Sequence, residues 1–246
     1  MLAMYRNEKK NQIVSLTEKA LDISLNEKEL AALVEQIAAT INEGGIEIFK
    51  AFKQNFKDFR PLSIQQLFDG TASPQDERKE ALLSSVFQNI TVPPEKSKAH
   101  DLPKSLYRGC SLNPLQLRRQ NGYCRLDGER SLYKHQMATG RSIYISATSK
   151  LSIACEFAMQ SERRGGGGHW VYRVNPINAS SCNDHLSPLR FHAGESEYVF
   201  TKHLPFEQIE SVAWARNCDE LETDFYSIDD AHHLLKELMI KGIVKI

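Results

Sequence analysis

Three short segments carry residue types that could do chemistry. In Ser105-Leu106-Tyr107-Arg108-Gly109 a single arginine interrupts an otherwise apolar, strand-forming run. A cation taken out of water needs an anionic partner, from an ion pair or from a ligand, whereas an arginine facing solvent needs neither. In Tyr144-Ile145-Ser146-Ala147-Thr148-Ser149 an apolar run ends in small hydroxyl residues and leads into a helical pattern. Such hydroxyls cap helices, and they also place a hydrogen-bonding group at a strand end. In Gly194-Glu195-Ser196-Glu197-Tyr198-Val199-Phe200 two carboxylates sit two residues apart where a glycine-containing loop enters a strand. On a strand they face the same side, and close like charges raise the pKa of one of them. The pair is either a solvated strand start or an acid pair held for a reaction.

Other motifs are less pointed. The run Gly165–Gly168 follows a helical pattern and precedes a strand, the reverse of a phosphate-binding P-loop, so it reads as a connector. Cys182-Asn183-Asp184-His185 lacks metal-ligand spacing, and no second pair supports it. His232 and His233 are adjacent on a helical stretch and are expected to point apart. Trp170 and Tyr172 alternate along a strand, where core packing is expected for at least one of them. No Gly-x-Gly-x-x-Gly follows a strand, which argues against a dinucleotide-binding fold of the hydride-transfer type.

The elements that must position these segments change character near residue 100. Leu30, Leu33, Val34, Ile37, Ala38 and Ile41 recur with helical period, and Asn26 with Glu29 predicts a capping box. Gly44 and Gly45 predict a break, followed by a second helix through Ile46, Ile48, Phe49, Phe52 and Phe56 that Pro61 ends. A short helical turn is expected over Ser63–Phe68 and a helix over Pro74–Asn89, with proline at its start and acids in its first turn. Pro93, Pro94 and Pro103 mark Thr91–Pro103 as a linker or long loop. Beyond it, strands are predicted at Ser105–Cys110, Ser142–Ala147, His169–Val174, Glu197–Lys202 and Ile209–Ala215. A helix over Ser149–Ser161 turns Leu151, Ala154, Cys155, Phe157 and Ala158 inward, and another over Ser227–Lys241 starts at a Ser227–Asp230 capping pair and stops at Gly242. The expected organisation is a helical region over 1–99 and an α+β domain over 100–246.

Composition sets bounds on function. The chain has 246 residues, with 31 basic and 31 acidic side chains and 41% hydrophobic residues. That is globular composition, long enough for one domain or two. A net charge of zero argues against nucleic-acid binding by bulk charge but leaves room for a local basic patch, and residues 101–200 carry 13 basic against 8 acidic side chains, ten of the basic ones arginine. Arginine is the side chain suited to bidentate phosphate contact. No stretch has the roughly 18–20 apolar residues of a membrane span, and no apolar leader with a cleavage site is expected at the N-terminus. Five widely spaced cysteines without a Cys-x-x-Cys pair read as free thiols in a reducing compartment.

Taken in order, Tyr107-Arg108, Tyr144-Ile145-Ser146-Ala147-Thr148 and Glu195-Ser196-Glu197 resemble the arginine/serine/glutamate motifs of the mono-ADP-ribosyltransferases, the class of the cholera and pertussis toxin catalytic subunits. The stretch from Tyr198 through Leu204-Pro205-Phe206-Glu207-Gln208-Ile209 to Val212, and Asn121-Gly122-Tyr123 after the arginine strand, are similar to the pertussis toxin catalytic chain. The resemblance covers roughly residues 103–216. One departure is that the family's Ser-Thr-Ser reads Ser146-Ala147-Thr148 here, which keeps the first hydroxyl.

The resemblance implies a split β-sandwich core of the ADP-ribosyltransferase type, and NAD+ as co-substrate with no metal. It implies Arg108 on the phosphates, Gly109 beside the nicotinamide amide, Ser146 orienting Glu197, and Glu197 stabilising the ribosyl cation. Glu195 would face the acceptor, and glutamate there accompanies arginine as acceptor in the family. A guanidinium is always charged near neutral pH and needs a carboxylate to hold it and take its proton. The implied partner is a target protein, of a host if the chain is a bacterial toxin or effector, with no nucleic acid and no membrane span. The free thiols suit a chain delivered directly into a host cytosol or an endogenous cytosolic enzyme. An NAD+ glycohydrolase and an inactive module that keeps the fold are the alternatives.

Overall fold

The computed structural model describes residues 2–63, 66, 69, 71–137, 141–163, 168–189 and 196–244. In chain order the helices are α1 (Leu2–Ala20), α2 (Glu27–Gln54), α3 (Pro74–Asn89), α4 (Pro114–Arg119), α5 (Leu132–Gln136), α6 (Leu151–Arg163), α7 (Cys182–Leu186) and α8 (Ala231–Ile240). The strands are β1 (Leu106–Cys110), β2 (Gly122–Cys124), β3 (Tyr144–Thr148), β4 (Trp170–Val174), β5 (Ser180–Ser181), β6 (Glu197–Thr201), β7 (His203–Pro205), β8 (Ile209–Trp214) and β9 (Tyr226–Ser227). The class is α+β with a mostly helical N-terminal region, as expected. Contacts divide the chain into one unit of residues 1–95, 128–142 and 183–191 and another of 96–127, 143–182 and 192–246.

The first unit is helical. Asn26 accepts from the Glu29 amide while the Glu29 carboxylate accepts from the Asn26 amide, each at 3.0 Å, so the predicted capping box forms. Helix α2 breaks at Gly45, whose φ of 69° and ψ of −156° suit only glycine. The helix stops at Gln54, short of Pro61, because the Asn55 amide side chain donates to the Ala51 and Phe52 carbonyls and closes the end. Phe56 therefore packs from beyond the helix, its ring 5.1 Å from Phe52. Helix α3 has its predicted bounds and is capped by Ser73. The turn expected over Ser63–Phe68 falls mostly outside the described residues. Phe49 packs edge-on against Phe87 at 5.5 Å and against the buried His185 ring at 4.8 Å.

The second unit is built on a seven-stranded sheet in the order β5-β6-β3-β1-β4-β8-β9, every pairing antiparallel. Strands β2 and β7 form a separate two-stranded sheet. Five register pairs join β1 to β4 and five join β3 to β6, but a single pair, Tyr107 opposite Thr148, joins β1 to β3. The sheet is two ladders that touch at one point and then part, which is the split that the sequence resemblance implies.

Alternation along the strands assigns the faces. Leu106, Cys110, Ile145, Ala147, Trp170, Tyr172, Phe200, Val212 and Trp214 form the main core on one face, covered by Tyr123, Leu204 and the α8 residues Leu234, Leu235 and Leu238. On the other face Val171 meets Ala154, Cys155 and Ala158 of α6. Phe157 was expected inward but is 44% exposed, because Ala154, Cys155 and Ala158 complete the stripe without it. Ser227 caps a short turn through the Asp229 amide, so α8 begins only at Ala231. Gly242 ends it with φ 69°, as predicted. His232 and His233 do not point apart: their exposed rings fold together to 3.9 Å between centroids. The expected linker is partly tied down, since the Ser97 amide donates to the Ala179 carbonyl and its hydroxyl accepts from the Ser181 amide. No helix among the described residues is long and apolar enough to cross a membrane.

Burial, then the Lys53 charge, lowers the His185 pKa from 6.5 to about 3, so the native ring is neutral. Between those values the unfolded chain binds more protons than the folded one. Stability is therefore full above about pH 6.5 and declines as pH falls toward about 3. Lys53, lowered to about 8 by burial, stays charged across that window and adds no slope. Thermal melting from pH 7 to pH 4 should show a steep acid-side loss that H185F flattens; parallel curves would count against this assignment.

Candidate functional site

Arg108 lies in the middle of β1 and projects from the core face with Leu106 and Cys110. If the register of Tyr107 with Thr148 continued, Gly109 would stand opposite Ser146. The strands part instead, and the Arg108 Nη1 donates to the Ser146 carbonyl across the gap. The guanidinium carbon stands 4.5 Å from the centroid of the Tyr123 ring. The Arg108 Nε is buried and meets no hydrogen-bond acceptor among the described residues, and Arg108 makes no ion pair among them.

Ser146 and Glu197 belong to the other ladder. Ser146 stands opposite Val199 and Thr148 opposite Glu197, so Ser146, Thr148 and Glu197 leave the same face. Ser146 and Glu197 are diagonal neighbours, roughly 7 Å apart at Cβ, within reach of a glutamate side chain. The structure thus groups Ser146 with Glu197 on one side of the sheet. Arg108 leaves the opposite side and reaches Ser146 only through its backbone, so the three side chains do not meet on one face. Entry to β6 is set by Ser196, whose φ is 47° and whose carbonyl accepts from the Ser149 amide at 3.3 Å. The Thr148 hydroxyl accepts from the Lys150 amide at 3.0 Å and turns the chain toward α6. Glu195 lies outside the described residues.

Gly109 has a packing role that the sequence did not disclose. A Cβ there would fall 1.9 Å from the Ala154 carbonyl oxygen and 2.5 Å from the Ala158 nitrogen. The backbone of α6 therefore rests on β1 at the residue after Arg108.

Four further side chains stand near Arg108 or Glu197, to which the sequence assigned no role at the site. The Tyr123 hydroxyl is 2.7 Å from the Cys110 Sγ, and its ring meets Tyr172 edge-on at 6.4 Å. The Tyr172 hydroxyl donates to the Leu112 carbonyl at 2.6 Å. Burial pushes the Cys110 thiol up and the Tyr123 and Tyr172 phenols well up, so all three are neutral at physiological pH. Cys182, which follows β5 and lies near Glu197, is held well above the ordinary thiol range by burial and then by that carboxylate. The available signal was Asn121-Gly122 before Tyr123: both residues take positive φ, and a Cβ on Gly122 would strike the Leu204 carbonyl at 2.2 Å. Trp170 and Tyr172 are both core residues, at 1% and 0% exposure. Among the described residues no group of three His, Cys, Asp or Glu is placed to hold a metal.

No protein-family model and no curated protein matches the chain. Among solved structures, a guanine-specific ADP-ribosyltransferase is similar at 17% identity with a TM-score of 0.44, over 55% of this chain and 79% of that one. The scabin toxin from Streptomyces scabies in complex with NADH is similar at 17% identity with a TM-score of 0.43, over 50% of this chain and 72% of that one. Likenesses of this extent do not assign chemistry to the present chain.

The Gly109 packing predicts that G109A destabilises the chain by about 1–3 kcal/mol or more, because helix backbone cannot yield as a side-chain end would. Denaturant unfolding of the variant measures this, and an unchanged midpoint would contradict the contact.

Proposed function

We propose that residues 100–246 cleave the nicotinamide–ribose bond of NAD+ and transfer ADP-ribose to an arginine of a target protein. The observation that carries this reading is that the arginine, serine and glutamate motifs fall, in order, on β1, β3 and β6, where β1 and β3 border the split and β6 pairs with β3 on its far side. The residues also suit the ligand: a partly buried guanidinium that meets no carboxylate among the described residues, its Nε lacking an acceptor there, is a group that a diphosphate oxygen would complete.

In this mechanism Arg108 holds the diphosphate by charge-assisted hydrogen bonds. The C–N bond to nicotinamide breaks with its electron pair leaving on nicotinamide, and the ribose becomes oxocarbenium-like. Glu197 stabilises that positive charge more in the transition state than in the ground state. Ser146, its diagonal neighbour, orients the carboxylate. Glu195 holds the incoming guanidinium and takes its proton as the new C–N bond forms. The roles of Glu195 and of the arginine acceptor rest on the sequence motif. The helical first 99 residues serve target binding or regulation in this reading.

Nicotinamide release by the purified chain, with and without cell lysate, tests the proposal. E197A should lower release at least about 100-fold. E195Q should lose transfer while keeping hydrolysis. Intact-mass analysis with an arginine peptide and with guanosine nucleotides as acceptors identifies the acceptor. Modification of the nucleotides alone would overturn the arginine assignment, and release without any acceptor would favour a glycohydrolase. No NAD+ binding at all would overturn the catalytic reading.

A further inference from the structure

Resting on the reading of Arg108 as the diphosphate-binding group, we propose that Tyr123 is the positioning residue that holds Arg108 across the split without adding a counter-charge to it. An arginine side chain has several free torsions, and fixing them costs entropy unless a second contact restrains it. The Ser146 carbonyl supplies one contact. A carboxylate as the second would fix the guanidinium but would also neutralise it and compete with an anionic ligand. The Tyr123 ring, 4.5 Å away, attracts the cation through its π-face and brings no negative charge, and the Arg108 Nε keeps no acceptor among the described residues.

Tyr123 is itself fixed from several directions. Its backbone is in the β2–β7 ladder opposite Leu204, entered through the two positive-φ residues Asn121 and Gly122. Its hydroxyl is tied to Cys110, which lies two residues beyond Arg108 and on the same face of β1. Tyr172 packs its edge and is anchored in turn on the Leu112 carbonyl. The tyrosine is 6% exposed, so solvent does not loosen it. Neither the phenol nor the thiol introduces a negative charge beside Arg108, because burial keeps both protonated.

The test is a double-mutant cycle on the full chain, read as NAD+ affinity by calorimetry and as KM and kcat of nicotinamide release. Y123L removes the π-face and should weaken NAD+ binding roughly 3- to 30-fold, with the loss in KM rather than kcat. Y123F keeps the ring and should lose less. In an R108Q background Y123L should cause no further loss, because the residue acts through the arginine. Y123M, of similar volume without a π-face, replaces Y123L if the leucine variant does not fold. Equal losses from Y123L in both backgrounds, or wild-type affinity in Y123L, would overturn the proposal while leaving the NAD+ reading intact. Failure of the wild-type chain to bind NAD+ would overturn that reading, and this proposal with it.

Discussion

The guanidinium of Arg108 spans the place where β1 and β3 come apart. Strands β1 and β3 share a single register pair, and beyond it the arginine reaches from one ladder to a carbonyl of the other. Within this gap the Arg108 Nε is buried and meets no acceptor among the described residues. Buried polar groups are normally satisfied, and in the proposed reaction a diphosphate oxygen would complete this nitrogen. Both ladders are otherwise well paired, and the parting is local to the residues with chemical potential.

The surrounding structure serves this gap. On the core face, Tyr123, Tyr172 and Cys110 form a buried aromatic and thiol layer under the arginine, neutral throughout. On the other face, α6 is drawn against β1 at Gly109, close enough that no side chain fits between them. The helix starts just after Thr148, so the strand bearing Ser146 and the helix clamping β1 are joined by a short turn. Ser196, in the left-handed region, delivers Glu197 into β6 opposite Thr148. Arginine and glutamate are therefore presented by different ladders and opposite faces.

Much of this was legible in the chain. The capping pair Asn26 and Glu29, the break at Gly45 and the bounds of α3 follow from local hydrogen-bonding and backbone preference, and they hold in the structure. The five strands with strong apolar patterns appear within two residues of their predicted positions. Local readings failed where a neighbour overrode them. Asn55 closed α2 before Pro61, Ser227 capped a turn in place of the helix, and the alanine stripe of α6 left Phe157 outside. The short pair β2 and β7 was not predicted, since three residues carry too little periodicity to register.

Residue type and order determined by themselves that the chain is α+β, that its helical part precedes its strands, and which arginine, serine and glutamate are the candidates for chemistry. Those properties depend on local propensity and motif order, which are written along the chain. Tertiary structure alone decided that β1 and β3 meet only once, that Arg108 leaves the face opposite Ser146 and Glu197, and that a tyrosine fifteen residues downstream supports the arginine. Strand order, register and face are set by which distant segments pack together, and no local pattern records that choice.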